Sequence, residues 1–326
     1  MSWHDTGLSR LLGVRLPIVL APMAGGPSTP RLAAAVSEAG GLGSLAGAAS
    51  GPDALREEIR EVRGLTARPF AVNLFAPLPR PSHARVADWA ALVGAEPVPV
   101  PGQAPRFEDQ LAVIREERVP VFSFTFGIPP LDGLDALTMG TATTVAEAIA
   151  LERAGVGVVV AQGFEAGGHR GTFLGPVERS LVGTLALVPQ IVDAVSLPVV
   201  AAGGIMDGRG IAAALALGAQ GVQLGTAFLR AGEAGTTVEH RDALLSETTI
   251  TNVMTGRHAR GVHRPLIDRL EAAGVEPPDY PLPRFLFPDQ LLLAGQGGPL
   301  ARSLPAAELV AALAVETEAA LSLRSP

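Results

Sequence analysis

Residues 197–228, LPVVAAGGIMDGRGIAAALALGAQGVQLGTAF, hold the pattern on which the fold turns. Two short apolar runs, LPVVAAGGI at 197–205 and GVQLGTAF at 221–228, each close on small residues, and an alanine-rich amphipathic segment joins them. Neither run alternates apolar with polar residues, which suits strands buried on both faces, as in a parallel sheet. Six runs of the same character come earlier: PIVLAPM at 17–23, LGSLAG at 42–47, PFAVNLF at 69–75, VPVFSFTFG at 119–127, DALTMGTA at 135–142 and GVGVVVAQG at 155–163. Helix-like stretches lie between them, such as STPRLAAAVSEAG at 28–40, with Ser28 as the expected N-cap, Pro30 in the first turn and Gly40 as the stop. Eight such β units predict an α/β fold, a (β/α)8 TIM barrel. Only IPPLDGL separates the fourth strand from the fifth, too little for a crossover helix, so either that helix is missing or the strand count is off by one.

The barrel is expected to occupy residues 1–230. Beyond it, TTITNVMTGRHARG reads as an excursion, PLIDRLEAAG as a short helix and PPDYPLPRFLFP as irregular structure, so residues 231–288 form an added subdomain or lid. Residues 289–326 end in an alanine-rich helix expected to pack back on the barrel, with a homodimer contact as the alternative. The proline-rich stretch 77–105 holds one expected helix around HARVADWAALVG, followed by a loop, EPVPVPGQAP.

Composition narrows the chemistry. The 326 residues are 48% hydrophobic and carry a net charge of −7, with the basic residues scattered, so no nucleic-acid surface is expected. No apolar stretch reaches the roughly 18 to 20 residues of a membrane span, and the first residues lack a signal-peptide layout. No membrane partner and a cytoplasmic location are the corresponding expectations. Cysteine is absent, which excludes thiol nucleophiles and thiolate metal sites. Lysine is absent too, which excludes Schiff-base chemistry.

In a barrel, function gathers at the C-terminal strand ends. There the chain places Ala21, Pro22 and Met23, then Asn73, Thr125, Gln162 and His169, then Gly203, Gly204, Gly225 and Thr226. The glycine-rich loops after the seventh and eighth strands suit a phosphate held by backbone N–H groups, with the Thr226 hydroxyl as a further donor. The amides of Asn73 and Gln162 can both donate and accept, which suits the edge of a flavin-like heterocycle. His169 is the titratable side chain behind the glycine-rich loop AQGFEAGGHRG. His258 and His263, beside Arg257, Arg260 and Arg264, share no carboxylate at metal-ligand spacing. No metal is expected, and that cluster reads as a solvated or lid surface.

The segments APMAGGPSTPRLAAAVSEAGGLGSLAG, FAVNLF, VVAQGFEAGGHRG, PVVAAGGIMDGRGIAAALALGAQGVQLGTAFL and AGQG, in order along nearly the whole chain, resemble the nitronate monooxygenase family, class I. The resemblance implies an FMN-binding barrel that oxidises alkyl nitronates, such as propionate 3-nitronate, with O2 to a carbonyl compound and nitrite. It matches His169 to the active-site histidine. Asn73, Gln162, Gly167, Gly204, Gln223, Leu224, Gly225 and Thr226 match flavin contacts, with Ala21, Pro22, Met23, Gly168 and Gly203 beside them. Met23, Thr125 and His169 would face the substrate. The chain departs from the family at Thr125, where histidine is common, at Leu293, where tryptophan is common, and in a shorter segment before AGQG. Flavin-dependent NAD(P)H:quinone or enoyl reductases share the scaffold and similar glycine motifs, but more often open with QGGM where this chain has APMAGG. A flavin-binding protein without turnover is the third alternative.

Overall fold

The structure, a computed structural model, describes residues 2–94, 105–286 and 291–322. Eight parallel strands carry it: β1 (Ile18–Leu20), β2 (Gly43–Ala46), β3 (Phe70–Phe75), β4 (Val121–Thr125), β5 (Leu137–Ala142), β6 (Val158–Gln162), β8 (Val199–Ala202) and β9 (Gly221–Leu224). Their order is β1-β9-β8-β6-β5-β4-β3-β2. A parallel bridge between Val19 and Leu42 joins the first strand to the second, and the Leu20 N–H donates to the Leu42 carbonyl at 2.8 Å. The ring is thereby a TIM barrel, as the eight apolar runs predict.

The absence of alternation in those runs has a direct cause. Val19, Leu42, Ala71, Val121, Met139, Val158, Val160 and Val200 pack together inside the barrel. Their strand neighbours Ile18, Leu20, Val72, Leu74, Phe122, Phe124, Val159 and Val199 pack outward against the helices. Both faces exclude water, so both are apolar.

The outer layer comprises α2 (Pro30–Glu38), α3 (Pro52–Leu65), α5 (Phe107–Glu116), α6 (Val145–Arg153), α7 (Thr184–Ala194) and α8 (Gly208–Ala216). The N-cap of α2 is Thr29, whose hydroxyl accepts from the Leu32 N–H at 3.0 Å. Ser28, expected in that role, instead accepts from the Met23 N–H at 2.8 Å and ties down the turn after β1. No helix forms between β4 and β5. Helix α1 (Gly7–Leu12), which the sequence reading did not identify, opens on a capping box of Thr6 and Ser9 and stops at Gly13 in the left-handed conformation. It pushes Leu8 and Leu12 into the interior cluster and plugs the N-terminal mouth. The Leu8 N–H donates to the Gln220 side chain at 3.0 Å, fixing the plug to the start of β9.

After β9 the chain leaves the ring through α9 (Val238–Ala243), the antiparallel hairpin β10 (Thr248–Thr251) and β11 (Ala259–Val262), and α10 (Pro265–Ala272). The hairpin does not stand apart from the barrel. Strand β11 pairs with the two-residue β7 (Gly168–His169), with His169 opposite Ala259. Helix α4 (Val86–Val93), from the proline-rich insertion, joins the same excursion: Trp89 is buried with Val253, Met254, Ile267 and Leu270. The expected loop at 96–105, but for Pro105, and the boundary at 288 lie outside the described residues. Helix α11 (Ala306–Ser322) returns to the barrel, and its Glu316 carboxylate accepts from the Gly208 N–H at 3.1 Å.

One contact shows how tightly the layers meet. A Cβ on Gly43 would lie 1.9 Å from the Ala33 carbonyl oxygen of α2. Gly43→Ala is therefore expected to lower stability by about 1–3 kcal/mol through overpacking. Gly64→Ala, in the open end of α3 where an added Cβ meets nothing within 4 Å, should be neutral or stabilising. Urea unfolding midpoints of the two variants check this.

Candidate active site

The strand period of two divides each barrel strand between core and mouth. On the inner face, Ala71 is followed by Asn73, Val121 by Ser123 and Thr125, Met139 by Thr141, and Val160 by Gln162. The apolar interior therefore ends in a polar rim at the C-terminal mouth. Asn73 is buried and donates through Nδ2 to the Ser123 hydroxyl at 3.0 Å. The Thr125 and Thr141 hydroxyls lie 3.4 Å apart. Gln162 uses both ends of its amide on its own loop: Nε2 donates to the His169 carbonyl at 3.0 Å, and Oε1 accepts from the Gly171 N–H at 2.8 Å.

That loop, residues 163–171, is fixed from beneath. Arg170 is buried, and its guanidinium donates to the carbonyls of Gly163 (2.7 Å), Gln162 (3.1 Å) and Ser180 (2.7 Å). Burial pulls its pKa down to about 10, so it stays charged at neutral pH. Glu165 holds the loop to α7 by accepting from the Thr184 N–H at 2.9 Å and the Thr184 hydroxyl at 2.7 Å. Buried Glu147 accepts from Thr172, Phe173 and Leu174 just beyond the loop, and from Thr143. The AGQG segment closes over the top: Gln296 N–H donates to the Glu165 carbonyl at 3.0 Å, and Gly295 N–H to the Thr226 hydroxyl at 2.9 Å. A Cβ on Gly167 would lie 2.4 Å from the Gly295 nitrogen.

His169 sits where this loop meets the excursion. Its Nε2 lies 3.2 Å from the Thr255 Oγ1. The rings of Tyr280, Phe126 and Phe75 stand edge-on around it, with centroids 5.2, 5.8 and 6.4 Å away. Arg257 lies 3.9 Å over the Phe126 ring and donates to the Thr172 carbonyl at 2.6 Å. Burial, then the positive charges of Arg257 and Arg284, hold the imidazole pKa down to about 3. The histidine is neutral at physiological pH. A cavity of about 280 Å³ is lined by Phe126, Arg170, Thr172, Phe173, Arg257 and His258 among others, and not by His169.

Thr255, Arg257, Tyr280, Phe126 and Phe75 did not stand out in the sequence reading. The arginine–histidine cluster was expected at a solvated or lid surface; it lies in the excursion, and only part of it is solvated. His263 pairs with Asp268 at 2.8 Å in the open. Arg260 is buried, donates to the Phe164 carbonyl at 3.1 Å and lies 4.4 Å over the Phe164 ring. Carbonyls and ring faces, not water, solvate these cations.

At the opposite side of the mouth, Gly203 and Gly204 both have positive φ, at 121° and 70°, a conformation that favours glycine. Among the described residues, the backbone N–H groups of Gly203, Gly204, Gly225 and Thr226 donate to no protein acceptor. The nearby N-terminus of α8 is already satisfied by Asp207 and Glu316. Any anion at this edge therefore meets loop amides rather than that helix end. Met23, from the turn after β1, lies against Gly225, as does Ala21.

A family profile described as nitronate monooxygenase matches residues 7–316. A nitronate monooxygenase of Pseudomonas aeruginosa is 46% identical, with 94% of this chain and 98% of the relative covered. The chain belongs to the nitronate monooxygenase family. A probable nitronate monooxygenase of Staphylococcus saprophyticus is 44% identical over 85% of this chain and 84% of its own length. Among solved structures, a nitroalkane oxidase of Streptomyces ansochromogenes superimposes with a TM-score of 0.88 at 42% identity, covering 98% of this chain and 99% of that one. FabK from Thermotoga maritima shares the fold at a TM-score of 0.76 and 29% identity, covering 98% of each chain. Nitronate monooxygenases are flavoenzymes, and the polar rim, the glycine edge and His169 face one mouth. Among the described residues, no helix is long and apolar enough to cross a membrane.

The depressed pKa of His169 links it to folding. Its unfolded value is near 6.5 and its folded value about 3, so between these the unfolded chain binds the extra proton. The stability that follows is fully present above pH 6.5 and is lost as pH falls from there toward 3. His169→Gln should remove about one proton from the pH dependence of unfolding in that window, seen as a shallower decline of the urea midpoint below pH 6.5.

Proposed function

We propose that the protein is an FMN-dependent nitronate monooxygenase that oxidises alkyl nitronates, propionate 3-nitronate among them, with O2 to a carbonyl compound and nitrite. One observation carries this reading beyond family membership: a neutral His169, ringed by aromatic edges and flanked by Arg257, shares the barrel mouth with four unpaired loop amides. The donor set fits FMN. The N–H groups of Gly203, Gly204, Gly225 and Thr226 would hold the phosphate, and the Thr226 hydroxyl, which accepts from Gly295, keeps its hydrogen to donate. Asn73 and Gln223, on the inner face of β3 and β9, would meet the polar edge of the ring system. Gln162 would do so through the loop that it braces. Ala21, Pro22, Met23, Gly167, Gly168 and Leu224 complete the wall.

When bound, the flavin supplies the redox chemistry that passes electrons from the nitronate to O2. The protein's part is binding and proton handling. Arg257 and Arg284 give the mouth a positive potential, which favours an anionic nitronate. Thr125 and Met23 would border the substrate opposite His169. An incoming anion would offset the Arg257 and Arg284 charges, which add to burial in depressing the His169 pKa, and so would favour a proton on the imidazole. The residues 231–288 act in this reading as a wall of the site as well as a cover, since they contribute Thr255, Arg257 and Tyr280.

Anaerobic mixing of the holoenzyme with propionate 3-nitronate should change the flavin absorbance rapidly, while NADH and NADPH leave it unchanged. Response to the nicotinamides alone would place the protein with the reductases, and response to neither would leave a binding protein. His169→Ala is expected to retain FMN and to lose about 100-fold or more in kcat/KM for the nitronate, measured by O2 uptake and nitrite release. An unchanged kcat/KM would remove His169 from the chemistry.

A further inference from the structure

The hydrogen bonds around Thr255 specify more than the position of the histidine. Thr255 is buried, and its Oγ1 lies 2.7 Å from the Arg257 carbonyl oxygen, 3.3 Å from the Arg257 backbone nitrogen and 3.2 Å from His169 Nε2. A hydroxyl has one hydrogen to donate and two lone pairs to accept with. The carbonyl can only accept, and at 2.7 Å it takes the hydrogen. The Arg257 N–H takes one lone pair. What remains for His169 is the other lone pair, so Nε2 must be the protonated nitrogen. A neutral imidazole with Nε2–H carries its free lone pair on Nδ1. Among the described residues, no protein group hydrogen-bonds to Nδ1.

We propose that Thr255 is a positioning residue that locks neutral His169 in its Nε2–H tautomer and so makes Nδ1 the atom that accepts a proton from the substrate. The catalytic part of this inference rests on the nitronate monooxygenase reading; the tautomer does not. The step concerned is the one in which His169 would deprotonate a neutral nitroalkane, which carries a hydrogen on the nitro-bearing carbon. That C–H bond breaks, its electron pair enters the C=N bond of the nitronate while the nitro oxygens take the charge, and the proton moves to Nδ1. Neutral nitroalkane and neutral imidazole become nitronate and imidazolium, with no other reactant. The Thr255 bond is the same before and after the transfer, because Nε2 is a donor in both states. Only Nδ1 changes, from acceptor to donor toward a nitronate oxygen, so the step needs no rearrangement of the wall behind the ring. The register of β7 against β11 brings the two residues together: Ala259 opposite His169 fixes the strand on which the turn at 252–258 is hung.

The test uses three holoenzymes labelled with ¹⁵N-histidine: the natural chain, Thr255→Val, which keeps the volume and removes the hydroxyl, and Thr255→Ser, which restores it. Two-bond ¹H–¹⁵N spectra, with the His169 signals assigned by their loss in His169→Asn, should show a single Nε2–H tautomer in the natural chain and in the serine variant, and a mixture in the valine variant. An Nδ1–H tautomer in the natural chain, or an unchanged tautomer in Thr255→Val, overturns the proposal. In parallel, kcat/KM for nitroethane should fall about tenfold in Thr255→Val, the worth of one hydrogen bond. It should fall less for ethyl nitronate, which needs no deprotonation, and recover in Thr255→Ser. Equal losses for both substrates, or no recovery with serine, would reduce Thr255 to a packing residue. Failure of the natural chain to release nitrite from either substrate would instead count against the monooxygenase reading, and the spectra would still decide the tautomer.

Discussion

A guanidinium without a carboxylate in contact organises the mouth of this barrel. Arg170 follows β7 and spreads its charge over three backbone carbonyls, from Gln162 at the end of β6, Gly163 and Ser180. Burying a cation is costly unless its donors are matched, and here the matching partners are the carbonyls that a strand end and a tight loop would leave unpaired. The same bonds that keep the charge tolerable therefore dictate the loop's path. Because neighbours on an extended segment point to opposite sides, anchoring Arg170 beneath the loop turns His169 out toward the mouth. Glu165 and Glu147 reinforce the arrangement from either flank by accepting from backbone N–H groups and hydroxyls.

The barrel was legible in the sequence because its physical cause is local. Each strand is walled by apolar side chains on both faces, so each announces itself as a run without alternation, and even the missing helix between β4 and β5 could be read from a short connection. Helix α1 was not read, although Thr6, Ser9 and Gly13 carry its capping signals, because six residues give too little periodicity to distinguish a plug from a disordered start. At the mouth, His169 and the glycine pairs were visible as residue types at strand ends. Thr255 was not: 86 residues separate it from His169, and only a two-residue strand pairing brings them together. Tyr280 and Phe126 belong to the same group, since an edge-on ring contact leaves no local pattern. The arginines at 257 and 260 were read as part of a solvated or lid surface, and their contacts were not legible for a different reason. Composition treats a guanidinium as a solvated charge, whereas here phenylalanine faces and carbonyl oxygens replace the water.

The excursion after β9 alters how the fold divides its labour. In a plain barrel the loops carry function and the strands carry stability. Here β10, β11 and β7 form a small antiparallel sheet of their own above the mouth, and His169 lies on it rather than on a free loop. Trp89, from the insertion after β3, packs beneath the same hairpin with Val253 and Met254. Two insertions far apart in the chain thus share one core, and that core holds the turn that faces His169.

The plug formed by α1 has a consequence for traffic. With Leu8 and Leu12 packed on the apolar interior at the N-terminal end, the described residues leave the C-terminal mouth as the end of the barrel at which a ligand could be received. A ligand arriving there would meet the rim formed by His169, Tyr280, Phe126 and Arg257. Arrival and departure would then share the same rim, so its packing bears on exchange as well as on binding.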